Sequence, residues 1–239
     1  MRVAGWHGTT LVDFPSRVAS ILFLAGCNLR CPFCHNPGLV LPELMEPAAA
    51  EDFDVILKKL EERRGFISGV VFTGGEPLLQ PDLDEALLAV RDLGLAVKLD
   101  TNGTHPEALA RVLNRVDYVA LDLKTAPDRY PEATGGRSGF EPVGQTLELL
   151  VDQSVVRGNG FTWEARTTLV PGLVGLEDLR ALAPLAAAAP LWALQPFVPR
   201  GTLDPAFSQL SAMPVAEVRQ WVDQRSEEHT SELQSRQVI

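Results

Sequence analysis

The chain has 239 residues, of which 46% are apolar, so it is long enough to bury one large core or two small ones. Its net charge of −10 argues against a general nucleic-acid-binding protein, which needs a basic face. It has no apolar run of about eighteen residues, and its N-terminus lacks the apolar centre of a secretory signal. We therefore expect no membrane span and a cytoplasmic location.

Apolar runs of strand length alternate with amphipathic segments along most of the chain. The predicted strands are 18–26, 69–75, 95–103, 117–124, 161–172 and 191–199. The predicted helices are 50–65, 81–94, 105–116, 144–154 and 176–189, with a last one at 214–224. Regular alternation predicts parallel strands joined by right-handed crossovers. We therefore expect an α/β fold, either an incomplete barrel of six β/α units or an open doubly wound sheet.

The tail, residues 225–239, breaks this alternation because it is polar and has no clear periodicity. Its stretch from Arg225 to Ser235 resembles the translation of a common sequencing-library adapter. We therefore predict a single domain over residues 1–224, followed by a tail that is non-native or an ordinary disordered segment.

All three cysteines lie within "GCNLRCPFCHN", residues 26–36. An odd, clustered set of thiols fits a reducing compartment better than a disulfide framework. Cys27, Cys31 and Cys34 with His35 form a possible zinc-ligand set. Cys31 and Cys34 also have the spacing of a redox pair, and three thiolates suit an iron–sulfur cluster. The cysteines alone leave these three interpretations open.

Polar residues follow the other predicted strands at the points where those strands end. They are "TGGEP" at 73–77, "DTNG" at 100–103 and "DLK" at 122–124, with Arg166 and Gln195 in the last two strands. Ligands of α/β barrels and sheets bind at the C-terminal ends of the strands. We therefore expect these stretches to converge with the cysteines on one site.

The spacing C-x3-C-x2-C, with Phe33 just before the last cysteine and "TGGEP" after the next strand, resembles the signature of the radical S-adenosylmethionine (SAM) enzymes. The resemblance implies a partial (β/α)6 TIM-like barrel in which Cys27, Cys31 and Cys34 bind three irons of a 4Fe–4S cluster. The fourth iron would bind the amino and carboxylate groups of SAM. Such enzymes cleave SAM reductively into methionine and a 5′-deoxyadenosyl radical.

Further roles follow from the same resemblance. Phe33 would lie against the adenine of SAM. Gly74 and Gly75, which lack a Cβ, would let the backbone approach the ligand and contact the methionine amino group. Glu76 would accept a hydrogen bond from that amino group or hold the loop.

The stretches "LDTNG" and "DLK" resemble those of a narrower group, the glycyl-radical-enzyme activases. The resemblance implies that Asp100 and Asp122 face the ribose, the methionine moiety or a bound monovalent cation, which Thr101 would help to coordinate. Lys124 would pair with the methionine carboxylate as a point charge. Arg166 would reach the cofactor or the partner's peptide, with a salt bridge inside the barrel as the alternative.

Residues 3–222 resemble the activating proteins of anaerobic ribonucleoside-triphosphate reductase, through "TTLVDFPSRVASILFLAGC", "RTTLVPG" and "LQPF". The resemblance implies a glycyl radical enzyme as protein partner and a one-electron donor such as flavodoxin or ferredoxin. Asp13, Phe14 and Pro15 are expected to shape an access loop without taking part in the chemistry. The alternatives are activation of pyruvate formate-lyase, a small-molecule reaction like that of the deazaguanine synthases, and a zinc-binding module that is not an enzyme.

Overall fold

The computed structural model describes residues 1–44 and 50–212, together with positions 214 and 216. Its strands are β1 (Arg2–Thr10), β2 (Ala19–Leu24), β3 (Glu51–Asp52), β4 (Gly69–Gly74), β5 (Ala96–Thr101), β6 (Tyr118–Asp122), β7 (Thr162–Leu169) and β8 (Trp192–Pro196). Its α-helices are α1 (Pro37–Val40), α2 (Phe53–Arg63), α3 (Leu83–Asp92), α4 (Pro106–Val112), α5 (Tyr130–Ala133), α6 (Glu141–Arg157) and α7 (Leu176–Ala186). Apart from positions 214 and 216, the predicted helix at 214–224 and the tail at 225–239 lie outside the described residues.

The strands form one open sheet in the order β3-β1-β2-β4-β5-β6-β7-β8. Each strand in the run β2-β4-β5-β6-β7-β8 pairs in parallel with the next. These are the six strands predicted from the sequence. The predicted α/β fold, a partial barrel of parallel strands, is therefore confirmed. Among the described residues, no helix has the length and apolar character needed to cross a bilayer.

Two strands, β1 and β3, are not predicted by the sequence pattern. They extend the sheet beyond β2 by antiparallel pairing. Glycines at positions 5 and 8 interrupt the apolar pattern of β1, and its pairing with β2 contains two register shifts. A strand of two residues, such as β3, has no periodicity to detect. These strands lie at the sheet edge and leave the site strands unchanged.

The main core lies between the sheet and the helices. Alternate side chains of the parallel strands point to this side, where Phe72, Leu99, Leu121 and Trp163 are completely buried. Full burial of a large apolar side chain contributes roughly 1.5–3 kcal/mol. This layer therefore fixes the register of the strands, and with it the positions of the residues at the strand ends.

The opposite face of the sheet carries charged side chains. Lys98, which is 2% exposed, lies 3.1 Å from Asp100 and 3.6 Å from Glu164. The hydroxyl of Tyr118 donates a hydrogen bond of 3.0 Å to Glu164. Buried ions need partners of this kind, so the inner face of the barrel is held by an ion network.

The loop between β1 and β2 closes the base of this inner face. Phe14 is 3% exposed, and its ring packs at 5.9 Å from that of Tyr118. Lys98 donates a hydrogen bond of 2.5 Å to the carbonyl of Asp13. Because β2 separates this loop from Cys27, the segment Asp13–Pro15 does not border the cysteine site, contrary to the expectation that it shapes the access loop.

Candidate active site

The loop after β2 brings the three thiols to one cavity. Cys27, Cys31 and Cys34 are free cysteines that line a cavity of about 310 Å³ at the C-terminal ends of the parallel strands. Burial raises the pKa of Cys31 to about 11 and also raises the pKa of Cys27. Thiols in such surroundings become good ligands once a bound metal stabilises the thiolate.

The segment that follows β8 holds the cysteine loop in place. The backbone N–H of Leu203 donates to the carbonyl of Cys34, and that of Asp204 donates to the carbonyl of Pro32, both at 2.9 Å. Within the loop, the N–H of Cys34 donates to the carbonyl of Cys31 at 3.0 Å. Three carbonyls of the loop are thus bound by protein donors, while its thiols face the cavity.

His35 is engaged by the same segment. Its imidazole stacks on the ring of Phe197, with centroids 5.5 Å apart, and contacts the carbonyl of Val198. In the described part of the chain, no three His, Cys, Asp or Glu side chains converge on one ion-sized point. His35 also lines the cavity, with its Nε2 engaged by the backbone.

Gly74 and Gly75 border the cavity beside the cysteine loop. Gly74 has a φ of +125°, and a Cβ there would lie 2.3 Å from the backbone nitrogen of Leu24. A Cβ on Gly75 would lie 1.9 Å from the carbonyl oxygen of Gly26. The loop after β4 thus packs tightly against the backbone that leads into Cys27. Glycine is required here by contacts within the chain and not only by the approach of a ligand, which was the role predicted from the sequence.

Glu76 is completely buried and is not among the side chains that line the cavity. Its Oε1 accepts hydrogen bonds from the N–H of Leu78 at 3.1 Å and the hydroxyl of Thr101 at 2.9 Å. Its Oε2 accepts one from the N–H of Asn102 at 2.8 Å. Burial raises the pKa of Glu76 to about 7, although these donors oppose the shift. Of its two predicted roles, this geometry supports the holding of the loop.

A row of alternating positive and negative side chains lies across the C-terminal ends of β5, β6 and β7. Arg166 on β7 lies 3.0 Å from Asp100 on β5 and 2.9 Å from Asp122 on β6. Lys124 lies 3.4 Å from the other oxygen of Asp122. All four side chains border the cavity, and Arg166 forms the barrel salt bridge that was its alternative role.

The electrostatics of this row of charges keep Asp122, Lys124 and Arg166 ionised. Burial would raise the pKa of Asp122, but Arg166 and Lys124 outweigh burial and hold that pKa below its usual value. Burial would lower the pKa of Lys124 and of Arg166, but the neighbouring carboxylates outweigh it and raise both. The cavity therefore presents fixed positive and negative charge to a zwitterionic ligand.

The remaining predicted residues also border the cavity. Phe33 is 8% exposed, and the ammonium of Lys124 lies 6.0 Å from the centre of its ring. Thr101 and Gln195 line the wall, and Thr101 also donates to Glu76. Cavity residues to which the sequence analysis gave no role include Thr73, Asn102 and Thr168. Asn102 lies in "DTNG", a composition typical of a turn. The sequence therefore gives no sign that the side chain of Asn102 contacts the sulfur of Cys27.

Comparisons with known proteins identify the family. The sequence matches the Radical SAM superfamily over residues 21–174. A protein of Methanocaldococcus jannaschii, provisionally named a glycyl-radical enzyme activating enzyme, is 32% identical over 221 residues, which cover 91% of this chain and 89% of the relative. The pyruvate formate-lyase-activating enzyme of Clostridium pasteurianum is 34% identical over 190 residues, which cover 76% of this chain and 74% of that enzyme.

Solved structures agree on the fold. The crystal structure of Streptococcus suis SuiB bound to precursor peptide SuiA matches with a TM-score of 0.69 over 92% of this chain and 48% of SuiB, at 15% identity. Radical SAM enzymes use a 4Fe–4S cluster and SAM. Three thiols on one cavity, beside paired charges and a buried aromatic ring, fit these two cofactors. The chain belongs to the radical SAM superfamily and, within it, to the glycyl-radical-enzyme activase type.

Proposed function

We propose that this protein uses a 4Fe–4S cluster and SAM to generate a glycyl radical on anaerobic ribonucleoside-triphosphate reductase. The observation that carries the proposal is the single cavity lined by Cys27, Cys31 and Cys34 together with Asp122 and Lys124. The choice of partner rests on the resemblance of residues 3–222 to the activating proteins of that reductase.

The three cysteines are proposed to bind one iron each, which leaves the fourth iron for the amino and carboxylate groups of SAM. Lys124 is proposed to pair with the methionine carboxylate, since its ammonium borders the cavity and stays charged. Phe33, in the same wall, is proposed to lie against the adenine.

The carboxylates at the strand ends complete the proposed site. Asp100 and Asp122 would face the ribose, the methionine moiety or a monovalent cation, with Thr101 as a further oxygen ligand. Arg166 would hold these two carboxylates in position, which its ion pairs to both support. Backbone carbonyls at Gly74–Gly75 would accept hydrogen bonds from the methionine amino group. Glu76 would hold the loop through its hydrogen bonds to Leu78, Thr101 and Asn102.

When bound, the two cofactors supply a one-electron cleavage of the S–C5′ bond, which gives methionine and, after a hydrogen atom is taken from a glycine of the partner, 5′-deoxyadenosine. A donor such as flavodoxin or ferredoxin would supply the electron. The chain's own contribution is to orient SAM through fixed charges and to exclude water with buried walls. A reduced cluster with an open iron implies a reducing compartment, so we place the protein in the cytoplasm.

The test is electron paramagnetic resonance on the anaerobically reconstituted protein with SAM and a reductant. One sample contains an anaerobic ribonucleoside-triphosphate reductase, a second contains pyruvate formate-lyase, and a third lacks a partner. A glycyl-radical signal in the first sample alone supports the proposal. A signal with pyruvate formate-lyase alone would reassign the partner, and SAM cleavage without a protein radical would favour a small-molecule substrate. Zinc without sulfide after anaerobic purification would overturn the enzyme assignment.

A further inference from the structure

A network of amide and hydroxyl groups lies directly behind Cys27. The side-chain Nδ2 of Asn102 is 3.9 Å from the sulfur of Cys27 and 3.0 Å from Oδ1 of Asn28. Nδ2 of Asn28 donates in turn to the hydroxyl of Thr104 at 2.8 Å. Asn102 is only 5% exposed, so water does not compete strongly for its amide.

The network fixes which end of the Asn102 amide faces the sulfur. Its Oδ1 accepts hydrogen bonds from the backbone N–H of Thr104 at 3.0 Å and from the Thr104 hydroxyl at 2.6 Å. An NH2 group at that position would face a backbone donor, so the oxygen must point to Thr104 and the NH2 group to Cys27. The two N–H bonds of Asn102 are then divided between the Asn28 carbonyl and the Cys27 sulfur.

We infer that Asn102 is a positioning residue that acts through Cys27 and raises the reduction potential of the cluster. This inference rests on the proposed function, because it assumes a cluster bound to the Cys27 thiolate. A donor to a ligating thiolate stabilises negative charge, and the reduced cluster carries one more electron than the oxidised cluster. The N–H···S contact therefore favours the reduced form, which is the form that delivers the electron to SAM.

The Gly-Gly-Glu loop takes part in this arrangement. Glu76 accepts a hydrogen bond from the backbone N–H of Asn102, so the buried carboxylate helps to fix the position of the asparagine beside Cys27. Gly75 packs on Gly26, one residue before the same cysteine. The loop after β4 thus supports both the thiol and its hydrogen-bond donor.

The test is the midpoint potential of the reconstituted cluster, titrated without SAM or partner and followed by electron paramagnetic resonance. Asn102→Ala should shift the potential to a more negative value. Asn28→Ala is the matched control, since it removes an amide of the same network but leaves the donor to Cys27, and its potential should equal that of the wild type. An unchanged potential in Asn102→Ala, or an equal shift in both variants, would overturn the inference while leaving the proposed function intact. A wild-type protein that takes up no cluster would overturn both.

If Asn102→Ala fails to fold or to take up a cluster, a second measurement decides the matter. The double variant Asn28→Ala/Asn36→Ala leaves Asn102 as the asparagine beside the cavity, because Asn114 and Asn159 precede β6 and β7 at the other end of the strands. Labelling its asparagine amides with nitrogen-15 should then produce a weak hyperfine coupling in pulsed spectra of the reduced cluster. The absence of that coupling would show that the amide does not donate to a cluster ligand.

Discussion

The carboxylate of Glu76 accepts a hydrogen bond of 2.8 Å from the backbone N–H of Asn102, which joins the loops that follow two neighbouring strands. Each of these loops also touches the backbone or sulfur at Gly26 and Cys27. The carboxylate therefore supports the loops around Cys27, although it does not line the cavity itself.

Replacing Glu76 with Gln should destabilise the protein by about 1–3 kcal/mol, the usual cost of a buried polar group that loses its partner. Gln keeps one oxygen for Leu78 and Thr101 but places an NH2 group against the N–H of Asn102. Chemical unfolding measures the difference. Glu61→Gln on the exposed face of α2 is the matched control and should change stability by less than about 0.5 kcal/mol. Equal stability of the two variants would contradict the role given to Glu76.

The same carboxylate predicts a pH dependence. The pKa of Glu76 is about 7 in the folded chain, against an ordinary value of 4.5. Between these values the folded chain keeps a proton that the unfolded chain releases, so the free energy of unfolding should decrease as the pH rises. The loss should be complete above about pH 7 and on the order of 3 kcal/mol at about 1.4 kcal/mol per unit.

The measurement is the unfolding free energy of the wild type minus that of Glu76→Gln, taken at intervals from about pH 5 to pH 8. Subtracting the variant removes the titration of all other groups. The difference should fall across this window and level off at its upper end. A difference that stays constant with pH would show that Glu76 titrates alike in the folded and unfolded chains.

Gly75→Ala should displace the cysteine loop, because the new Cβ would lie 1.9 Å from the carbonyl oxygen of Gly26. We expect a loss of stability of roughly 1–3 kcal/mol from overpacking, together with less iron and sulfide bound per chain. Gly65→Ala is the control, since a Cβ there meets nothing within 4 Å and its φ is not positive. Iron and sulfide analysis compares the two variants, and an equal cluster content would refute the packing argument.

Arg166→Met should weaken SAM binding at least about tenfold and destabilise the protein. It leaves Asp122 with Lys124 as its remaining cation and should raise the pKa of that carboxyl group. Removing one partner of a buried ion pair costs about 3–5 kcal/mol. Calorimetric titration with SAM measures the affinity. Arg180→Met, which alters an exposed pair with Glu177 on α7, should bind SAM like the wild type. Unchanged affinity in Arg166→Met would remove Arg166 from the site.

Much of this site follows from sequence order alone. Six apolar strands alternate with helices, and the carboxyl ends of parallel strands share one edge of the sheet, so residues as distant as Cys34 and Arg166 are expected on one cavity. Phe33 and Lys124 lie on that cavity for the same reason. The family relation also follows from the cysteine spacing and the Gly-Gly-Glu stretch, which both have few structural alternatives.

Other features depend on side-chain geometry that no local pattern encodes. Gly75 looks like a ligand-binding glycine, yet the contact that demands it is the carbonyl of Gly26. Asn102 looks like a turn residue until its amide is seen beside Cys27. Phe14 packs on Tyr118 at the base of the barrel. The sequence does not predict this contact, because it joins segments about a hundred residues apart along the chain.

The proposed binding of a SAM-cleaving 4Fe–4S cluster by Cys27, Cys31 and Cys34 is tested by product formation in the reduced, anaerobically reconstituted protein. The wild type should form methionine and 5′-deoxyadenosine in equal amounts. Cys31→Ala should form neither and should lack the resonance signal of a reduced cluster that changes on addition of SAM. Full product formation by Cys31→Ala, or a wild-type protein that binds zinc without sulfide and forms no product, would show that these cysteines do not hold a SAM-cleaving cluster.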